Sequence, residues 1–462
     1  MRHLSGVASA PRFLGVSPVT KSPGADAVPL RKTNVRLTPH DKYTAHAKEE
    51  CSMLSKRTLR ASWMASVGII ALTGLAAAGD WRQFRGTDTT GVAEDASLPV
   101  TWSATENIAW KASLPGRGLS SPIIIGDRVF LTGSSGYRQD RLHVFCFDAK
   151  DGSTVWERQF TATGRTSSHP KMCNATPTPA SDGQRLFALY SSNDLICLDL
   201  DGNLLWFRGL TYDHPNVSNS LGMASSPVVV GDTLVAQVEN DSESLATGVD
   251  VATGVSRWTM KRPKRANWTS AALLNKGPTS DEDLVLLQSS EGLAAVRPLT
   301  GTVAWNYKEG ASTIPSSVVS DGVVFIPSQG ITAIRPPTGS ENIEVLWRVG
   351  KLGPATPSPI VYQGRLFSVN GAGVVTCADT KAGDEKWKLR LTGPFSGSPV
   401  AAGGHLYFFN EKGEAHVVKP GDDQGELVST NSLDDTILCT PAIANGAIYV
   451  RSDRTLWKIA TK

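Results

Sequence analysis

The sequence predicts an all-β fold: an eight-bladed β-propeller of four-stranded antiparallel blades, its ring closed by the N-terminal strand around Trp110. Three observations predict it. First, one stretch recurs. Its clearest copy runs from Ser358-Pro359-Ile360-Val361 through Gly364 to Val369, Gly373 to Asp379, and a last run that carries Trp387. Short β-branched or aromatic runs separated by Gly, Asn and Asp read as strands joined by tight turns. Second, the copies begin at Ser121, Thr178, Ser226, Ser270, Ser316, Ser358, Ser398 and Thr440, 40 to 57 residues apart. Four strands at that period make a propeller blade. Third, the last copy ends at Lys462 without a Trp strand, while an unpaired one, Asn107 to Lys111 with Trp110, precedes the first copy. Pairing the two removes the open edge of the ring.

Taken in order, residues 1–52 are polar and aperiodic, and read as a disordered or mis-assigned N-terminal extension. Residues 53–79 have the form of a signal peptide. Lys56, Arg57 and Arg60 are its basic region, Trp63 to Ala76 its apolar region, and Ala76-Ala77-Ala78 its small-residue end. The apolar run is about 14 residues, short of the ~20 that cross a bilayer. This places the chain in the periplasm or outside the cell, touching membrane only if the segment stays uncleaved. Residues 80–105, which include Trp81-Arg82-Gln83-Phe84-Arg85-Gly86, are expected to pack as an arm on the outside of the ring. The propeller itself takes 106–462.

Charge excludes one class of partner. Eleven of the 46 basic residues but only four of the 43 acidic ones precede Asp80, so the folded part is slightly acidic. It carries no nucleic-acid footprint.

Within the blades, each Trp sits at a fixed place and is expected to pack between neighbouring sheets. Cys146, Cys197 and Cys377 share one repeat position with Gly248, Ala295, Ala333 and Val417, which asks only for a small apolar side chain. Cys173 and Cys439 stand apart, and a disulfide between them is left open. Asp148, Asp199, Asp250 and Asp379 precede Gly turns and are expected to cap them. No metal-ligand spacing is present, and no catalytic residue is assigned.

The longest links between a Trp strand and the next blade are Glu157 to Pro177, Phe207 to Ser225 and Thr259 to Thr269. Long loops on a rigid scaffold are where binding residues sit. The candidates for ligand or partner binding are therefore His169, Lys171, Asn174, His214, Asn216, Asn219, Arg262, Arg265 and Trp268.

The run from Ser121-Pro122 through Gly126-Asp127-Arg128-Val129-Phe130 to Cys146-Phe147-Asp148-Ala149-Lys150-Asp151-Gly152-Ser153-Thr154-Val155-Trp156 resembles the pyrroloquinoline-quinone (PQQ) repeat. The resemblance covers about 107–462 and implies the quinoprotein-dehydrogenase-like propeller. Trp81 to Gly86 with Thr90-Gly91-Val92 is similar to the leader of many secreted PQQ-like repeat proteins. Two branches follow from it. The dehydrogenases imply PQQ and Ca²⁺ in the funnel, with a disulfide between adjacent cysteines, Glu and Asn ligands and an Asp base. This sequence has no adjacent Cys pair, and none of those roles falls on a residue of it. The BamB-type scaffold implies blades without cofactor that bind partner proteins through loops. The expectation is thus an exported, non-catalytic, monomeric scaffold for an envelope protein or polymer, without a cofactor. The alternative is a quinoprotein oxidoreductase holding PQQ and Ca²⁺.

Overall fold

A computed structural model of the chain describes residues 79–93, 97–218, 220–277, 280–338 and 342–461. The chain divides into two compact units, Met1–Ala71 and Leu72–Lys462, and every described residue falls in the second. The expected extension, and all of the expected signal segment but Gly79, lie outside the described residues.

Eight four-stranded antiparallel sheets account for 32 strands among the described residues. Blade 1 runs Ile123–Ile125, Arg128–Ser135, Arg141–Asp148 and Thr154–Thr161, from the axis outward. Blades 2 to 7 begin at Ala180–Ser181, Val228–Val230, Ala272–Leu274, Val318–Ser320, Ile360–Tyr362 and Val400–Ala402. Blade 8 has Ala442–Ala444, Ala447–Arg451 and Thr455–Ala460, and takes Ile108–Ser113 as its fourth strand. There Trp110 lies opposite Lys458, and Ala112 opposite Leu456.

Inner strands are buried on both faces, because each sheet lies between two others. Thr233–Val238 is buried throughout, whereas the outer strand Ser256–Lys261 alternates with exposed positions. The shared cysteine position is small because it lies directly opposite the Trp: Cys146 faces Trp156, Cys197 faces Trp206, and Gly248 faces Trp258. A β-bulge just before each of these Trp residues re-aims the ring toward the next blade.

There the indole meets a turn glycine. At Gly254, whose φ is 73°, a Cβ would lie 2.7 Å from the Trp206 ring. The indole N–H also crosses the joint. Trp206 Nε1 donates to Val251 O at 3.0 Å, Trp156 to Leu200 O at 3.0 Å, and Trp387 to Gly421 O at 3.0 Å. Closing the ring, Trp110 donates to Ala149 O at 3.1 Å. The Asp turns are capped as expected: Asp250 Oδ1 accepts Thr253 N at 2.8 Å and Thr253 Oγ1 at 2.9 Å, and these bonds hold its carboxyl below the usual range.

In blade 7, Leu427 replaces the Trp and stays 43% exposed. Trp102 packs on that blade, stacking on Phe409 at 6.1 Å. Asn431 holds it, accepting from Trp102 N at 3.0 Å and donating to Val100 O at 3.1 Å.

A belt of contacts runs at the axis. The residue that opens each of the first seven repeats donates its N–H to the hydroxyl that opens the next. Ser121 N reaches Thr178 Oγ1 at 2.9 Å, Thr178 N reaches Ser226 Oγ at 3.0 Å, and the relay continues through Ser270, Ser316, Ser358 and Ser398 to Thr440. A buried bond of this kind contributes about 1 kcal/mol net.

The segment Trp81–Val92 departs from the expectation of an arm outside the ring: it lies across one end of the channel. Ile124 N donates to Trp81 O at 3.0 Å, Ser181 N to Arg82 O at 2.9 Å, and Val229 N to Gln83 Oε1 at 3.0 Å. Leu273 N donates to Thr89 Oγ1 at 3.0 Å and Ala401 N to Gly91 O at 3.0 Å. Arg85 Nη2 donates to Pro359 O at 2.6 Å. The reason is physical. The innermost strands are edge strands, and their outer N–H groups need acceptors. A polar segment of Gln, Thr and main-chain carbonyls supplies them to blades 1, 2, 3, 4 and 7. Arg85 is fully enclosed there, and burial pushes its guanidinium down to about 10.

Candidate functional site

With one end of the channel plugged, the axis becomes a blind funnel of about 400 Å³. Phe84 of the plug forms its floor, the Ser/Thr belt its wall, and the loops that enter each blade its mouth. Leu119, Met172, Leu221, Ile314 and Leu438 make an apolar collar together with Trp268, and His169 and Lys171 add polar groups at the rim.

Buried polar anchors fix the rim loops. Glu239 is buried between Arg262, whose Nε lies 2.5 Å from Oε1, and Asn267, whose Nδ2 donates to Oε2 at 3.0 Å. Burial raises the Glu239 carboxyl against the pull of Arg262. This clamp sets the turn that presents Trp268. The indole is fixed by Nε1 donating to Gly222 O at 3.0 Å and by its backbone N donating to Thr313 O at 2.8 Å. In the neighbouring blade 2, Asp194 accepts from Thr163 N at 3.0 Å, Thr163 Oγ1 at 2.5 Å and Ser192 Oγ at 2.6 Å. It anchors the loop that carries His169 and Lys171. Lys171 Nζ then spans to Glu411 of blade 7 at 2.8 Å.

The structure brings together three of the nine predicted residues. His169, Lys171 and Trp268 line the funnel. Asn174 is buried as a clamp, donating to Gln139 O at 3.1 Å and accepting from Ser192 N at 2.8 Å. His214 pairs with Glu243 at 3.3 Å, away from the funnel, and the Asn216 main-chain oxygen accepts from Ser242. Arg262 borders a separate open cleft beside blade 4. Arg265 is an exposed turn residue outside the lining, and Asn219 lies outside the described residues. The belt was missed. Its signal was in plain view, since all eight repeats open on Ser or Thr. Cys173 and Cys439 are both buried free thiols, so the disulfide left open is not formed.

The donor set decides what the funnel can hold. Its described lining offers hydroxyls, an indole, an imidazole, an ammonium, the Cys439 thiol and the Met172 thioether, and no carboxylate. Ca²⁺ takes six to eight oxygen ligands, carboxylates prominent among them. Among the described residues no group of three or more His, Cys, Asp or Glu side chains could hold a metal. The residues present do not fit a Ca²⁺–quinone pair.

A family model described as outer membrane protein assembly factor BamB matches residues 60–307 and 327–419. The chain belongs to the BamB family. Among solved structures, BamB from Moraxella catarrhalis is 16% identical, with a TM-score of 0.55 over 76% of this chain and 96% of that one. A europium-containing methanol dehydrogenase is 14% identical, with a TM-score of 0.62 over 81% and 90%. The quinohemoprotein alcohol dehydrogenase from Comamonas testosteroni is 12% identical, with a TM-score of 0.62 over 84% and 82%. At these identities the likeness is one of fold. No match was found among curated proteins. In this BamB-family chain, no helix among the described residues is long and apolar enough to cross a membrane.

Proposed function

We propose that the chain is an exported binding scaffold that takes up part of an envelope protein or polymer at the funnel mouth and performs no chemistry there. The observation that supports this reading is the apolar collar around Trp268, set in loops held by buried polar anchors and lined without a carboxylate. An apolar centre with a few oriented polar groups at its rim is the anatomy of a recognition site. The signal-like segment supports a periplasmic or extracellular setting, and a monomer needs no second copy to complete the site.

The test is a pull-down from envelope extract with the full chain and a variant carrying Trp268→Ala and Leu221→Asp. A species held by the parent and released by the variant is expected. Equal retention by both overturns the reading. A parallel arm adds PQQ with Ca²⁺ to the purified chain. No bound chromophore is expected, and a bound quinone that reduces dye overturns the scaffold assignment.

A further inference from the structure

Blade 1 carries, outside the funnel, three side chains in one hydrogen-bonded line. Ser135 ends the second strand, His143 lies on the third and Glu157 on the fourth. His143 is opposite both Gly133 and Gln159, which puts Ser135 and Glu157, each two residues away, on the same face. Ser135 Oγ lies 2.6 Å from His143 Nε2, and His143 Nδ1 lies 2.6 Å from Glu157 Oε1. A carboxylate only accepts, so the Nδ1 proton points to Glu157, and Nε2 presents its lone pair to the serine hydroxyl. That tautomer is the one able to take a proton from a nucleophilic serine.

The surroundings hold the imidazole still. It is 3% exposed and stacks on Phe145 at 5.5 Å with a 12° interplanar angle. Gln159 Nε2 donates at 2.8 Å to the same Glu157 oxygen. Ser135 is only half-buried. The turn after it has left-handed backbone at Gly136 (φ 79°), Arg138 (φ 59°) and Gln139 (φ 62°), two of them not glycine. Strain of this kind persists where surrounding structure enforces it, often at functional sites.

We propose that Ser135, His143 and Glu157 form a hydrolytic triad for small O-acyl esters, independent of the funnel. Ser135 Oγ attacks the ester carbonyl carbon, and its proton passes to His143 Nε2. Collapse breaks the carbonyl–alkoxy bond, and His143 returns that proton to the departing alcohol. Water then attacks the acyl-serine, giving its proton to His143. A second collapse breaks the bond between the acyl carbon and Ser135 Oγ, His143 returns the proton to Oγ, and the carboxylic acid leaves. Glu157 acts as a positioning residue through the imidazole. The substrate class follows from the setting. Ser135 borders none of the cavities described above, so only a small acyl group such as acetyl needs seating, and the alcohol part stays in solvent.

The full chain is treated with a fluorophosphonate probe and, separately, with p-nitrophenyl acetate, and the modified residue is mapped by peptide mass spectrometry. One adduct on Ser135 is expected, absent from Ser135→Ala, with ester turnover lost in the same variant. Glu157→Gln is expected to slow labelling roughly 10²-fold and to shift its pH profile while keeping the parent's unfolding midpoint. A parent chain with no adduct at Ser135, or Ser135→Ala labelled and active like the parent, overturns the proposal. An unchanged rate and pH profile in Glu157→Gln removes the glutamate from it and with that the triad.

Discussion

Asp194 shows how a single residue ties the site to the solvent's pH. It is fully buried, and desolvation raises its carboxyl above the ordinary value of 3.8 despite bonds from Ser192 and Thr163. The folded chain therefore binds this proton more tightly than the unfolded chain does. The stability this group adds is fully present below 3.8 and is lost as the pH rises through the raised folded value. In urea unfolding measured from pH 4 to 8, the parent should lose stability with rising pH more steeply than Asp194→Asn, whatever the absolute stability of the variant. Equal slopes would show that Asp194 does not carry the dependence. Burial in this loop was not visible beforehand, because Asp194 follows Ser192-Asn193 and reads in sequence as one more turn residue.

At the scale of elements, the joint between blades rests on a pair: a Trp from one blade and a positive-φ glycine from the next. Gly254→Ala forces a left-handed alanine and brings its Cβ within 2.7 Å of the Trp206 ring. Left-handed backbone alone costs a non-glycine residue roughly 1–2 kcal/mol, and the ring must shift as well. Differential scanning calorimetry should show a lowered melting temperature. Gly231→Ala, also at positive φ but with open space around its Cβ, should cost less. This layer was legible in the sequence because blades 1 to 6 each repeat a local code: a small residue, a Gly turn and a Trp. Trp102 was not legible as the companion of the Trp-less blade 7. It meets Asn431 across 329 residues of chain, and nothing local announces that contact.

For the whole molecule, the plug was the least legible part. Its acceptors answer N–H groups of blades scattered through the sequence, so no periodicity marks it. A chain lacking residues 79–93 would leave the amides of Val229, Leu273 and Ala401 without their acceptors. An unpaired buried donor costs about 1–3 kcal/mol. Hydrogen exchange at these three amides should accelerate at least about tenfold per 1.4 kcal/mol lost, while amides between the outer strands keep their protection. Uniform acceleration across all blades would instead mean that the segment is needed for the fold as a whole. Of the candidate site, the long loops reach the funnel mouth, but only three of their nine candidates line it, because hydrogen bonds and ion pairs to neighbouring loops claim Asn174, His214 and Arg262.

The stopper built from Trp81–Val92 also bears on time as well as shape. A vessel open at both ends can be traversed, but a cup cannot, so an occupant departs by the route it arrived. Lys171 stands in the lining of that funnel, tied to Glu411 and 57% exposed. An exposed pair is worth only about 0–1 kcal/mol and weakens as salt rises. Residence should therefore shorten with ionic strength even for an uncharged guest, a salt effect written by the doorway and not by the visitor.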